Sequence, residues 1–265
     1  MSRRLRSFAN RQTRSLQAAV VFASLVLVIA STACADAAAD AIINKGIEAL
    51  GGEARLAKAR ATTSKVKSTV ISGDSASVSK IEHTTDGLGR MRMTFEDDFD
   101  GYKFAAITVI DGDKGWVKEG EMEVVELQGQ ELADLKSGFF WQSVPFTLVE
   151  LRDSKFKTEV VGDVKVDGKP ADGVKVTGPE GKDFAIYFDK KTGLPVKAVA
   201  DEPDPESPGQ EFTQEDYYSD YKDFGGIKRA TKVEIKCDGE TSIKMELLSL
   251  KVLDKVDDKT FAKPE

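Results

Sequence analysis

From Ala61 onward, apolar and polar residues alternate along short runs, and glycine-bearing turns cut these runs apart. Period-two alternation puts one set of side chains on each face of a strand, so each run predicts a half-buried strand. The first half of the chain gives Thr63–Ser72, Ser75–Thr84, Gly89–Glu96 and Tyr102–Asp111, separated by Gly73-Asp74, Asp86-Gly87 and Asp100-Gly101. Asp111 to Gly115 forms a tight turn into Trp116–Glu119, and Gly120 leads to Glu121–Leu127. The second half gives Lys155–Val161, Val164–Val166, Gly173–Gly178, Asp183–Asp189 and Pro195–Ala200. Three longer runs follow: Glu211–Tyr221, Ile227–Cys237 and Thr241–Val252. Asp189 to Gly193 and Asp238-Gly239 have hairpin composition, with Gly193 supplying a positive φ. Short strands joined in sequence at near-regular spacing predict an antiparallel meander.

Two segments break this rhythm. Asp40 to Ala59 places Ile43, Ile47 and Leu50 at three- and four-residue steps, which predicts one amphipathic helix interrupted at Gly51-Gly52. In Gln128 to Arg152, Gln130–Lys136 favours helix, and Phe139-Phe140-Trp141 and Val144-Pro145-Phe146 make the most aromatic stretch of the chain. The expected fold class is mainly β (α+β). It is a curved antiparallel sheet or half-open β-barrel with an N-terminal helix and a mid-chain helical lid, in one domain over residues 36–265. A curved sheet of roughly a dozen strands encloses more volume than its own side chains fill. Two roles are open to Phe139, Phe140, Trp141, Phe146 and Leu148. They plug the sheet's own core, as aromatics commonly do. Or they close a cavity and touch an apolar ligand, with Trp116 facing them.

Residues 1–35 have the order of a secretory signal. Arg3, Arg4, Arg6, Arg11 and Arg14 come first, then the apolar run Ala18–Ala30, then Ser31, Thr32, Ala33, Cys34 and Ala35. The run is shorter than the roughly 20 residues that span a bilayer. Ala33-Cys34-Ala35 is an A-x-A site whose cleavage starts the mature chain at Asp36. Ser31-Thr32-Ala33-Cys34 also resembles a bacterial lipoprotein box, in which Cys34 becomes the lipidated first residue and a tether to the membrane. Ser31 stands where that box has Leu, Val or Ile. Both routes lead to the periplasm or cell envelope.

Charge and chemistry narrow the function. The whole chain carries a formal net charge of −7, and loss of the five arginines of the signal, which holds no acid, takes it to −12. Such a chain repels nucleic acid and anionic membrane surfaces. After cleavage Cys237 stands alone, on the same strand face as Val233 and Ile235, and reads as a small buried hydrophobe. The one histidine, His83, lies in an alternating strand and is expected to face outward. HExxH, CxxC, G-x-S-x-G and strand-to-helix G-x-G-x-x-G patterns are absent, so no catalytic residue, metal ligand or cofactor is assigned. The acidic turn Glu96–Gly101 lacks the spacing of an EF-hand loop.

The order of elements, from signal through helix, meander, aromatic insert and further strands to a final long hairpin, resembles the periplasmic LolA/LolB-like superfamily of lipoprotein carriers. Three phrases carry the resemblance: Tyr187 to Val196 (YFDKKTGLPV), Tyr218 to Ile227 (YSDYKDFGGI) and Leu253 to Phe261 (LDKVDDKTF). The resemblance implies an open β-barrel whose helical lid holds acyl chains. The expected protein is monomeric and non-enzymatic and binds a hydrophobic small molecule or a lipoprotein acyl chain. No binding residue is carried over from the family. The competing expectation is a structural or protein-interaction domain of the envelope with no ligand cavity. Intact mass of the mature protein separates the two N-termini: an unmodified chain starting at Asp36 is expected from cleavage after Ala35, and an acylated chain starting at Cys34 from the lipoprotein route.

Overall fold

The computed structural model describes residues 37–265 apart from 74, 100, 101, 179–182, 205, 206 and 208. The signal, its cleavage site and Cys34 lie outside the described residues, as does part of the acidic turn at 96–101.

Helix α1 spans residues 37–50 and α2 spans Glu53–Lys58. The single helix expected over Asp40–Ala59 is therefore two. Gly51 and Gly52 adopt φ of 131° and 89°, which side chains with a Cβ rarely take. A Cβ on Gly51 would lie 2.2 Å from the Gly226 carbonyl oxygen. The helix break is thus a docking point between the start of the domain and the Gly225-Gly226 turn.

Thirteen strands follow among the described residues. The first six are β1 (Ala61–Ser72), β2 (Ser75–Asp86), β3 (Arg90–Phe99), β4 (Tyr102–Asp111), β5 (Lys114–Glu119) and β6 (Val125–Leu127). Helix α3 (Gly129–Ser143) and two 3-10 turns, Val144–Phe146 and Val149–Arg152, form the insert. Then come β7 (Lys157–Val166), β8 (Lys169–Thr177), β9 (Asp183–Asp189), β10 (Pro195–Pro203), β11 (Glu211–Phe224), β12 (Ile227–Cys237) and β13 (Glu240–Leu253), and a last 3-10 turn at Asp258–Phe261. Strand β7 merges two expected strands, because the irregularity at Gly162 is a bulge between Val160 and Gly162.

All strands pair antiparallel in one curved, unclosed sheet, in the order β6-β5-β4-β3-β2-β1-β13-β12-β11-β10-β9-β8-β7. The first and last strands meet at its centre, from Ala61↔Leu253 to Val70↔Ile243. The two edges, β6 and β7, are the strands next to the insert. One is three residues long and the other is bulged, and both features hinder edge-to-edge association.

The two faces carry different cores. On the inner face, Ala39, Ile43, Ile47 and Leu50 of α1 pack with Trp141, Val144, Leu148 and Leu151 of the insert against Val174, Ile186, Phe188, Ala198 and Tyr218. Gly46 permits this closeness, since a Cβ there would sit 2.8 Å from both Leu148 and Phe188. On the outer face, Phe261 and Val256 of the C-terminal segment cover Val109 and Trp116. Arg90 holds that segment, with its guanidinium 4.4 Å from the Phe261 ring centroid, 2.9 Å from Asp258 and 2.8 Å from Asp111.

The Gly51–Gly226 contact is backbone to backbone and has no flexible side chain to yield. Gly51→Ala is expected to destabilise the fold by about 2–4 kcal/mol. Gly73→Ala, where no atom would lie within 4 Å of the new Cβ, is expected to cost about 1 kcal/mol. Denaturant unfolding of the two variants checks the difference.

Candidate functional site

Helix α3 lies across the inner face and is fastened at both ends. Near its start, Leu132 packs against Gly115 of β5, where a Cβ would come within 2.6 Å of the Leu132 Cδ1. Lys136 pairs with Asp113 in the β4–β5 turn at 2.9 Å, and Phe139 joins Met91 and Ile110. Near its end, the buried Trp141 donates its indole N–H to Glu202 of β10 at 2.5 Å. Arg152 then ties the end of the insert to Asn44 of α1 and Glu53 of α2.

Among the described residues, two cavities lie beneath this strap. The first, about 320 Å³, is lined by Phe140, Trp141, Phe156 and Phe184, with Ser137, Lys136, Gly178 and Asp183 around them. Phe140 stacks on Phe156 at 5.2 Å and meets Phe184 edge-on at 5.9 Å. Leu88 and Gly89, from the β2–β3 turn, complete the wall opposite Phe184. Five strands separate β2 from β9 in the sheet order, so only strong curvature brings these residues together. The second cavity, about 230 Å³, is lined by Phe139 and Phe146 of the insert, Val233, Ile235, Met245 and Leu247 of the sheet, and Thr62, Ser64, His83, Thr85, Asp216, Tyr218, Arg229 and Thr231. Leu88 and Glu150 belong to both walls.

The six residues singled out in the sequence are divided by the structure. Phe140 and Trp141 line the first cavity, and Phe139 and Phe146 line the second. Leu148 lines neither. It is fully buried between α1 and the sheet. Trp116 does not face the others. Ile110 and Val109 are neighbours on β4 and so point to opposite faces; Ile110 packs with Phe139, whereas Val109 packs with Trp116 and Phe261 on the outer face. Trp116 is therefore corrected from cavity wall to outer-face core.

His83 is also corrected. It points inward beside Ser64, and its Nε2 is buried without a partner. Ile81 lies two residues earlier and so shares its face, a sign that the strand's inward set included the histidine. The sequence reading also passed over Asp216, Tyr218 and Arg229. Cys237 is half-buried.

Burial governs the chemistry of these groups. It pushes the Asp216 carboxyl up to about 7, reinforced by the charge of Glu202, against a 2.9 Å hydrogen bond donated by Gln214. It lowers His83 to about 4 and Arg229 to about 10. It also raises the Tyr218 phenol, whose hydroxyl is buried without a partner. Arg229 has no carboxylate partner among the described residues; its guanidinium lies 4.7 Å from the Phe146 ring centroid. Among the described residues no three His, Cys, Asp or Glu side chains converge as a metal site, and no helix is long and apolar enough to cross a membrane.

The two shifted groups act on stability in opposite senses. Asp216 keeps its proton in the fold until about pH 7 but loses it near 3.8 when unfolded. Its contribution is full below about pH 4 and is lost as the pH rises to 7. His83 stays neutral in the fold down to about pH 4 but is protonated below 6.5 when unfolded. Its contribution is present above 6.5 and is lost as the pH falls. Removing one exposes the other. As the pH rises from 4.5 to 6.5, the stability of Asp216→Asn is expected to increase and that of His83→Gln to decrease, each by up to about 3 kcal/mol. Urea titrations at several pH values measure this, and parallel curves for the two variants would refute the assignment.

No family model matches the sequence. No curated protein matches it either. Solved structures do. A LolA superfamily protein from Nitrosomonas europaea superposes with a TM-score of 0.56 at 12% identity, covering 85% of this chain and 97% of its own. A DUF1329 family protein from Desulfovibrio piger gives 0.56 at 13% identity, covering 84% and 97%. A domain assigned to an outer membrane lipoprotein-sorting protein of Vibrio parahaemolyticus gives 0.51 at 15% identity, covering 83% and 97%. Identities this low speak to the fold alone, and they agree with the helix, meander, insert and closing hairpin built above: the chain has a LolA-like fold.

Proposed function

We propose that this chain is a non-enzymatic binding protein of the periplasm or cell envelope that carries an apolar ligand, a lipid or the acyl chains of a lipoprotein. The observation that carries the reading is the aromatic cavity between α3 and β9. At about 320 Å³ it falls within the range of small-molecule sites. Its walls are Phe140, Trp141, Phe156 and Phe184, and a filled core would have closed on them. The LolA-like fold adds support, because one of the matched structures is a domain assigned to an outer membrane lipoprotein-sorting protein. Phe139 and Phe146 extend the apolar wall toward the second cavity. The basic and apolar order of residues 1–35 supports the location, with either a free N-terminus at Asp36 or a tether through Cys34.

The mechanism is transfer of hydrocarbon from water into a preformed, mostly apolar cavity. A volume of 320 Å³ holds roughly ten methylene-sized groups at about 30 Å³ each. At about 0.8 kcal/mol per methylene that is ~8 kcal/mol, equivalent to a micromolar complex before association costs. No bond is made or broken.

Ser137 faces the cavity from α3 without belonging to the inner core. Ser137→Trp is expected to fill the space with the protein's own atoms, weaken binding of a fluorescent fatty acid by tenfold or more, and leave the melting temperature within a few degrees of the parent. Native mass spectrometry of the protein purified from its own envelope is expected to show a lipid adduct in the parent and none in the variant. An apo mass for both, with no fatty-acid binding by either, would sink the proposal.

A further inference from the structure

The second cavity is not built like the first. A space meant for hydrocarbon alone has no use for buried polar groups, since each costs free energy unless it finds a hydrogen bond. Here Tyr218 is only 5% exposed and lines the cavity, and its hydroxyl has no partner. His83 Nε2 on the opposite wall has none either. Arg229 projects from β12 on the same face as Thr231, Val233 and Ile235, and among the described residues no carboxylate compensates it. The Phe146 ring beneath it offsets part of its desolvation, but a ring face satisfies none of its N–H groups. Arg60, exposed at the rim, is a second basic group there.

The acids of this cavity do not neutralise the arginine. Asp216 accepts a hydrogen bond from Gln214, and burial pushes its carboxyl up to about 7, so it is mostly protonated only below neutral pH. Glu150 lies in the wall shared with the aromatic cavity. The result is an apolar slot beside a small polar chamber with an uncompensated guanidinium and three orphaned atoms, Tyr218 Oη, His83 Nε2 and, in the shared wall, Glu150 Oε2.

We propose that the chamber around Arg229 receives the anionic headgroup, a carboxylate or phosphate monoester, of a single-chain amphiphile whose tail lies in the adjoining aromatic cavity. Arg229 donates to the headgroup oxygens, and Tyr218 supplies a further donor. The inference rests on the apolar-ligand reading and narrows it to a class.

Calorimetry at pH 6.0, where Asp216 is mostly protonated, with twelve-carbon probes below their micelle concentrations separates the possibilities. Laurate and dodecyl phosphate are expected to bind about tenfold or more tightly than dodecanol, since charge-assisted hydrogen bonds are the strong ones. Arg229→Gln is expected to erase the preference while dodecanol binding stays within about twofold of the parent, and Arg229→Lys to retain part of it. The comparison of probes on the parent protein stands even where a variant folds poorly. Equal affinity for laurate and dodecanol would overturn the headgroup assignment and leave the tail cavity intact. Tighter binding of dodecyltrimethylammonium would overturn it in favour of Glu150 as the headgroup's partner. Inorganic phosphate binding as tightly as dodecyl phosphate would make the chamber a site for free anions. Failure of every twelve-carbon probe to bind would remove the apolar-ligand reading itself.

Discussion

The chain leaves the sheet at one edge and re-enters it at the other. Strands β6 and β7 are consecutive in sequence, yet eleven strands lie between them. The segment joining them has to traverse a face of the sheet, and it takes the inner one. At about 4.8 Å per strand the sheet describes an arc of roughly 58 Å. Helix α3, by contrast, is only about 10–12 Å across and ~22 Å long. One helix cannot occupy a trough of that size. It can bridge it, touching Gly115 and Asp113 on one side and Glu202 on the other. The strap and the hollow beneath it follow from this one topological demand.

Stability and emptiness are assigned to different regions of the molecule. Helix α1 and the strands from β8 to β11 form a dense apolar core around Ile47, Leu148, Ile186 and Phe188, all of them almost completely buried. That core supplies the fold with most of its burial. The inner face of β1 and β2 is lined instead by Thr62, Ser64, His83 and Thr85, and Thr62 and Thr85 satisfy each other at 2.9 Å. A sheet that needed only to be stable would carry valines there. Because the dense half is sufficient, the other half is free to keep polar atoms and open space.

Strand positions were legible where glycine and aspartate marked both ends. Ile227–Cys237 is read to the residue, because Gly225-Gly226 and Asp238-Gly239 bracket it. The hairpin at Asp189 was equally plain, and its carboxylate accepts bonds from the backbone of Lys191 and Thr192. The insert was harder. Helix α3 runs on to Ser143 through Phe139, Phe140 and Trp141, whose helix propensity is modest, because packing against the sheet decides the matter. The site was half visible. Its aromatics stood out, but which face Trp116 occupies depends on the parity of β5 relative to β4, and that is a property of the pairing. The polar members do not stand out, because a polar residue in an alternating strand ordinarily faces solvent. Ile81 beside His83, and Val233 and Ile235 beside Arg229, already placed them among inward residues.

The seam between β1 and β13 has a consequence for how the molecule comes into being. The residues it joins, such as Ala61 and Leu253, are almost as far apart along the backbone as any two in the domain. A nascent chain emerging from its N-terminus can assemble β1 to β6 by local hairpins, but β1 then waits with a naked flank until nearly the whole polypeptide has been made. Closing so long a loop carries a large entropic penalty and makes for slow acquisition of structure. Until β13 is in place, β1 keeps one flank of backbone donors and acceptors unpaired, an edge open to pairing with another chain.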